Sequence, residues 1–154
     1  MMIEKEIEQA VLEAVSSLAM DGLDIDGIWQ KSPDGRAKGS EDPNARAILR
    51  VAAAPRSFDA FSSPKVNVPV SIALSVRMET APDGEALSAY TQPLFDLLQE
   101  WQLSVDSVKN EFTTMHFSPF GIRVDGGDIG FSGEPRNCWT ITQKFTLRGV
   151  VRKG

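Results

Sequence analysis

The sequence predicts an α+β fold, with a mostly antiparallel sheet of about four to five strands and two helices packed on one face. Three observations predict it. Residues 66–79 and 138–152 alternate between apolar and small polar side chains, and a step of two is the period of a strand. Residues 3–18 and 83–103 carry apolar residues at steps of three and four, as an amphipathic helix does. All of these segments fit a single domain spanning residues 1–154.

The first element is predicted to be an amphipathic helix. Glu4, Glu8 and Glu13 lie between its apolar positions, and acids early in a helix suit its dipole. Asp21 and Gly22 are predicted to end it. Its apolar stripe consists of Ile3, Ile7, Val11, Ala14, Val15 and Leu18.

Strands and irregular segments alternate after this helix. Residues 23–29 are predicted to form a short strand, and residues 46–54 another. Between them, residues 30–46 show no periodicity and many turn formers, which predicts a mobile loop. Residues 55–65 form a second irregular segment that contains Phe58 and Phe61. These two rings either fold back on the core or dock into a neighbouring subunit, since aromatic residues are common anchors at interfaces.

Residues 66–79 are predicted to form one unusually long strand, which at about 3.3 Å per residue extends more than about 40 Å. One side is apolar and the other small and polar, so the strand has a core face and an outward face. Pro69 lacks a backbone donor, which predicts a sheet edge or a bulge at that point. The outward side carries Asn67, Pro69, Ser71, Ala73, Ser75, Arg77 and Glu79.

The second helix is predicted to begin near Asp83, with Thr80 or Asp83 as its cap. Pro93 falls inside the helical pattern, which predicts a kink or a helix in two pieces. Its apolar stripe consists of Leu87, Tyr90, Leu94, Leu97, Leu98 and Trp101.

The chain returns to strands at its end. The four apolar residues of the segment after Met115 predict one strand or two short pieces, and the glycine-rich residues 124–137 predict a turn or an extended hairpin loop. Residues 138–152 are predicted to be the last strand, pairing with residues 66–79. Gln143 is the polar exception on its apolar face. The four apolar residues are Phe117, Phe120, Ile122 and Val124.

The composition argues against several functions. Acidic residues outnumber basic ones by 21 to 16, for a net charge of −5, which disfavours a nucleic-acid groove or an anionic membrane surface as the main partner. Cys138 is the only cysteine and His116 the only histidine, so neither a cysteine metal site nor a nucleophile motif is recognisable. We expect no catalytic residues, no cofactor and no metal site, and therefore no enzymatic activity. An acidic N-terminus without an apolar run predicts a protein that is made and kept in the cytoplasm, or released by lysis.

Several arginines lie on the polar sides of predicted strands, where guanidinium groups either pair with carboxylates across an interface or form pairs within the chain. The outward sides of the two long strands are the first surface to consider for subunit contacts. The predicted contact residues are Arg56, Phe58, Phe61, Ser71, Ser75, Arg77, Thr142 and Lys144.

The order of elements, with the closing segment that contains Trp139, Ile141, Phe145 and Leu147, resembles bacteriophage tail terminator and tail-completion (head–tail joining) proteins. The resemblance covers most of the chain. It implies a structural protein that forms a ring, usually a hexamer, on the head-proximal end of the tail tube. The implied partners are other copies of the chain, the tail tube protein and the head connector, with no membrane and no sequence-specific nucleic acid. The implied location is the host cytoplasm during assembly and then the virion tail.

Two alternatives remain at this stage. The first is another virion component, such as a tail tube or baseplate subunit, because the same assembly physics applies to it. The second is a small-ligand-binding, cone-shaped α+β domain of the nuclear-transport-factor-2-like type. That fold needs polar groups pointing into its cone, whereas the core-facing sets here are apolar apart from Gln143.

Overall fold

The computed structural model describes residues 2–18, 23–27, 47–58, 64–77, 84–132 and 138–152. Three helices and six strands lie in these ranges. The helices are α1 (Ile3–Val15), α2 (Gly84–Leu103) and α3 (Val105–Phe112). The strands are β1 (Leu23–Gly27), β2 (Ala47–Ala53), β3 (Ser57–Phe58), β4 (Lys65–Arg77), β5 (Phe117–Ser132) and β6 (Cys138–Val151).

The strands form one open sheet in the order β1-β2-β4-β6-β5, and the short β3 pairs with β4 beyond the end of β2. All neighbours are antiparallel except β1 and β2, which are parallel. The α+β class and the mostly antiparallel sheet are therefore confirmed. The predicted loop at residues 30–46 lies outside the described residues.

The hydrophobic core lies between one face of the sheet and the helices. The apolar side of β4, from Val66 to Val76, is fully buried in it. At its centre, Trp101 of α2 contacts Phe112 of α3 edge-to-face at 4.8 Å between ring centroids, and it contacts Phe145 of β6 at 5.8 Å. All strand residues of the core cluster come from this one face. The sheet is thus two-sided, as the alternation predicts.

The pairing of β4 with β6 runs the full length of β4, from Lys65 opposite Val150 to Arg77 opposite Cys138. This confirms the predicted partnership of the two long strands and the division of their faces. β2 and β3 pair one after the other with the same side of β4. Pro69 lies opposite the gap between the end of β2 and the start of β3. There its carbonyl accepts a hydrogen bond from the Ala54 amide at 2.8 Å. The prediction of a sheet edge or a bulge at Pro69 is therefore wrong: β4 lies inside the sheet and pairs with β6 without a register shift, and the interruption is in the neighbouring strand instead.

The helices differ from the prediction in three ways. First, α1 ends at Val15, before the predicted stop at Asp21. Second, α2 continues through Pro93, so the prediction of a helix divided at that proline is wrong. Third, the helical region breaks at Ser104, which caps the unpredicted α3 by accepting a hydrogen bond from the Ser107 amide at 3.2 Å. A capped start satisfies an otherwise free amide, and this allows the chain to change direction there.

The glycine-rich segment is also different. The predicted turn or loop at residues 124–137 is wrong for residues 124–132, which continue β5 in register with β6. Two bulges interrupt this strand, between Pro119 and Gly121 and between Val124 and Gly126. Gly126 has a φ of 106°, a conformation that favours glycine, so the second bulge explains one of the glycines.

Candidate subunit-contact surface

The second face of the sheet, opposite the core, is here called the outer face. No helix among the described residues packs against it. Cross-strand register places its residues in rows: Arg50, Ala73, Thr142 and Asp128 form one row. The central positions are small and half-buried by their neighbours. The described outer-face residues are Ile48, Arg50, Ala52, Lys65, Asn67, Pro69, Ser71, Ala73, Ser75, Ser118, Phe120, Gly121, Arg123, Asp125, Gly126, Asp128, Gly130, Thr140, Thr142, Lys144, Thr146, Arg148 and Val150.

Four of the predicted contact residues come together on this face. Ser71 is directly opposite Lys144, and Thr142 lies in the next row. Ser75 is opposite Thr140, and their hydroxyl oxygens are 3.2 Å apart, within hydrogen-bond distance. The result is a shallow surface of short polar side chains on a rigid sheet, which can approach another surface closely.

The two bulges of β5 each add one residue to the outer face. At the first, Phe120 is 38% exposed, and the guanidinium of Arg148 lies 5.6 Å from its ring centroid. Arg148 also donates a hydrogen bond from Nε to the Asn67 side chain at 3.1 Å. A flat guanidinium held against an aromatic ring gives the outer face an apolar spot beside a fixed positive charge.

At the second bulge, Asp125 accepts hydrogen bonds from Arg123 Nε at 2.7 Å and from the Thr146 hydroxyl at 2.5 Å. The bond from Thr146 has the largest effect on the Asp125 carboxyl and lowers its pKa below the ordinary 3.8. Burial acts in the opposite direction, and the Arg123 hydrogen bond and charge lower the pKa further. The Asp125 carboxylate thus pairs with groups of its own chain.

Among the outer-face side chains that the structure describes, exposed basic residues outnumber exposed acidic ones. Lys144 and Arg148 lie on β6, and Asp125 already pairs with Arg123. This contrasts with the acidic net charge of the chain. The exposed charged residues of the described outer face are Lys65, Arg123, Lys144 and Arg148, which are basic, and Asp125 and Asp128, which are acidic.

Arg56 and Phe58 lie away from this surface. Phe58 is 57% exposed and belongs to β3, opposite Val66. Arg56 pairs within the chain: its side chain donates to both carboxylate oxygens of Glu4, from Nε at 3.0 Å and from Nη2 at 2.9 Å. Of the remaining predicted contact residues, Phe61 and the side chain of Arg77 lie outside the described part of the structure.

The buried ion pair of Glu4 was not predicted from the sequence, because the helical pattern placed Glu4 between the apolar positions. Its side chain is only 6% exposed. Burial alone raises its pKa, but hydrogen bonds and charge from Arg56 outweigh burial and hold the pKa below the ordinary 4.5. The signal in the sequence is the spacing of Glu4 and Glu8, which follow Ile3 and Ile7 at the border of the apolar stripe.

His116 holds the start of β5 to α1. Its ring Nδ1 lies 2.7 Å from Glu6 Oε2, and its backbone amide donates to Glu6 Oε1 at 3.1 Å. Burial tends to raise the pKa of Glu6, while hydrogen bonds from Thr114 and His116 lower it below 4.5 overall. Within the described ranges, no group of three His, Cys, Asp or Glu side chains is arranged to hold a metal ion.

A second exposed feature lies on the helix side, where α2 ends and α3 begins. Leu103 is 78% exposed and Val105 is 54% exposed. The sequence analysis missed them because it did not predict the break at Ser104. A serine directly before an amphipathic segment, here Ser104 before α3, is the signal that could have located the break.

None of the described helices is long and apolar enough to cross a membrane. A comparison of the sequence with protein-family models finds no matching family, and a comparison with curated proteins finds no matching relative.

Proposed function

We propose that this protein is a structural, non-enzymatic component of a phage or prophage tail, which caps the tail tube as an oligomeric ring and joins it to the head connector. The order of elements and the closing tryptophan-containing strand support this role through the resemblance to tail terminator proteins. The observation that carries the proposal is the outer face, a long rigid sheet surface with short side chains and fixed charges. Such a surface suits contact with another protein more than it suits catalysis.

The mechanism of assembly follows from the two-sided sheet. A contact that joins one face of a subunit to a different face of the next is heterologous, and it closes into a ring when the rotation between subunits fits. Six copies, the usual number in the resembling family, require about 60° per subunit by this geometry. The finished ring then presents one rim to the tube and the other to the connector.

The core favours this role over a ligand-binding cone. The space between the sheet and the helices is filled by large apolar side chains, among them Trp101, Phe112, Phe117 and Phe145. A pocket for a small molecule needs a cavity with a few convergent polar groups. Two carboxylates, those of Glu4 and Glu8, are buried among the described residues, and that of Glu4 is bound to Arg56.

The test is the mass of the protein in solution, by light scattering and native mass spectrometry, for the wild type and two variants of one outer-face residue. Thr142→Trp places a bulky ring on the predicted contact surface and is expected to give monomers with unchanged circular dichroism. Thr142→Val keeps the volume of the side chain and is expected to assemble like the wild type.

A second arm separates a terminator from a tube or baseplate subunit. Electron microscopy of the tail tube protein polymerising with this protein is expected to show tubes that stop growing and carry a ring at one end. Unlimited polymerisation of this protein alone would favour the tube or baseplate alternative. A monomer at every concentration, with and without tube protein, would contradict the proposal.

A further inference from the structure

The junction of α2 and α3 forms an exposed apolar corner surrounded by acids. The corner is defined by Glu100, Leu103, Val105 and Asp106, all of which are exposed. The Ser107 hydroxyl lies 3.5 Å from Glu100 Oε1, so the last turn of α2 and the first turn of α3 are held side by side. An apolar centre with a charged rim is the usual composition of a protein contact site.

The corner belongs to the acidic side of the molecule. The three helices contain only two basic residues, Lys5 and Lys109. Trp101, which lies between Glu100 and Leu103 in the chain, packs against Phe145 from the core side, so the corner and the outer face lie on opposite sides of the sheet. The acidic residues of the helices are Glu4, Glu6, Glu8, Glu13, Glu85, Asp96, Glu100, Asp106 and Glu111.

The outer face offers the complementary arrangement. Lys144 and Arg148 are exposed on β6, about 13 Å apart at the usual rise of a strand. Pro69 lies in the row between them and is exposed, and Phe120 stands beside Arg148. Two positive charges thus lie beside the apolar side chains of Pro69 and Phe120, as two negative charges lie beside the apolar pair of the corner. The Asp125 carboxylate, which accepts a hydrogen bond from Thr146 in the row between Lys144 and Arg148, is paired with Arg123.

We propose that the α2–α3 corner of one copy docks onto the outer face of a second copy, with Leu103 and Val105 against Pro69 and Phe120, and Glu100 and Asp106 facing Lys144 and Arg148. The partner is a second copy because the corner and the outer face carry opposite charges beside apolar side chains, and the two surfaces lie on opposite sides of the same chain. One subunit cannot bring these two surfaces together by itself. The inference rests on the proposed function for the ring, and it adds which two surfaces meet.

Electrostatic complementarity sets register and partner choice at such a contact, and a like-charge pair across it is unfavourable. Reversing the charges on only one side is therefore expected to weaken association about tenfold or more. Reversing both sides in the same chain restores complementarity, because each copy then carries a basic corner and an acidic outer face.

The experiment uses three charge variants and a control, compared with the wild type by light scattering over a range of concentrations. The outer-face variant is Lys144→Glu with Arg148→Glu, the corner variant is Glu100→Lys with Asp106→Lys, and the third combines all four. Gln9→Lys with Glu13→Lys adds positive charge to exposed positions of α1 and is the control. We expect the first two variants to dissociate, and the fourfold variant and the control to assemble.

Four results would overturn the inference. If the corner variant assembles like the wild type, the corner is not the partner of the outer face, although a ring formed in another way would leave the proposed function intact. If the fourfold variant dissociates as strongly as its parents while all retain their circular dichroism, the charges do not face each other. If the outer-face variant assembles normally but loses binding to a short DNA duplex in fluorescence anisotropy, the outer face serves nucleic acid instead. A wild type that stays monomeric at every concentration, with and without tube protein, would overturn both proposals.

Discussion

Glu4 and Arg56, fifty-two residues apart in the chain, join α1 to the segment between β2 and β3 through three hydrogen bonds. The third of these comes from the Arg56 backbone amide, 3.0 Å from Glu4 Oε2. The pair connects α1 to the gap between β2 and β3, the two strands that lie beside β4. Strand pairing is interrupted at this gap, and the charge-assisted contact to the helix layer stabilises the chain there.

Arg56→Ala is expected to lower the free energy of unfolding by about 2–3 kcal/mol, because it leaves the nearly buried Glu4 carboxylate without its guanidinium partner. Urea unfolding followed by circular dichroism measures the change. Arg123→Ala is the matched control, since the Arg123 side chain is 66% exposed beside Asp125 and its pair contributes about 1 kcal/mol or less. Equal losses in the two variants would contradict the structural role of the Glu4–Arg56 pair.

Acid is expected to weaken the attachment of α1. The pKa values of Glu4 and Glu6 are lowered in the folded protein, so their contribution to stability is fully present above the unfolded value near 4.5. It is lost as the pH falls through the lower, folded pKa values. Urea midpoints measured between pH 7 and pH 3 should therefore fall below about pH 4.5. Glu4→Gln should be less stable at pH 7 and show a shallower fall, and a slope equal to that of the wild type would refute this assignment.

Gly149 of β6 lies directly opposite Pro119 of β5. A methyl group added there would approach the Phe117 ring at 2.6 Å and the Ser118 carbonyl at 2.5 Å. Gly149→Ala is expected to cost about 1–3 kcal/mol, since a packed strand cannot move away from its neighbour. Gly130→Ala, at a β5 position with nothing within 4 Å, is expected to change thermal stability little. A larger loss at Gly130 than at Gly149 would be inconsistent with this packing.

Two leucines of α2 should separate stability from assembly. Leu94 is fully buried and Leu103 is 78% exposed. Leu94→Ala is expected to lose about 2–5 kcal/mol of unfolding free energy, as large-to-small changes in a core do. Leu103→Ala should unfold at nearly the wild-type urea concentration but associate more weakly in light scattering. A marked loss of stability for Leu103→Ala would place that side chain in the core.

The parts of the fold that the sequence predicted are those with an uninterrupted period. The apolar and polar sides of residues 66–79 could be separated because side chains alternate between the two faces of a strand. The pairing with residues 138–152 followed from the similar length of the two segments and from their matching faces. For the same reason, Ser71, Ser75, Thr142 and Lys144 could be assigned to a common surface.

The parts that were missed depend on contacts between distant residues. β5 changes its alternation at each bulge, so no single period of two fits it, and its glycines favour a turn when considered locally. α3 has only eight residues and depends on packing Val108 and Phe112 into the core. The burial of Glu4 depends on Arg56, and no local pattern can supply that partner.

The bulges of β5 have a further consequence for how the protein associates. In the described sheet β5 is an edge strand of sixteen residues, and a long straight edge would recruit strands from other molecules without limit. Two local bends and Pro119, which cannot donate a backbone hydrogen bond, make this edge a poor template for a further strand. Irregularity at this rim of the sheet thus disfavours fibre growth by strand addition, and the assembly proposed above uses side-chain contact between faces instead.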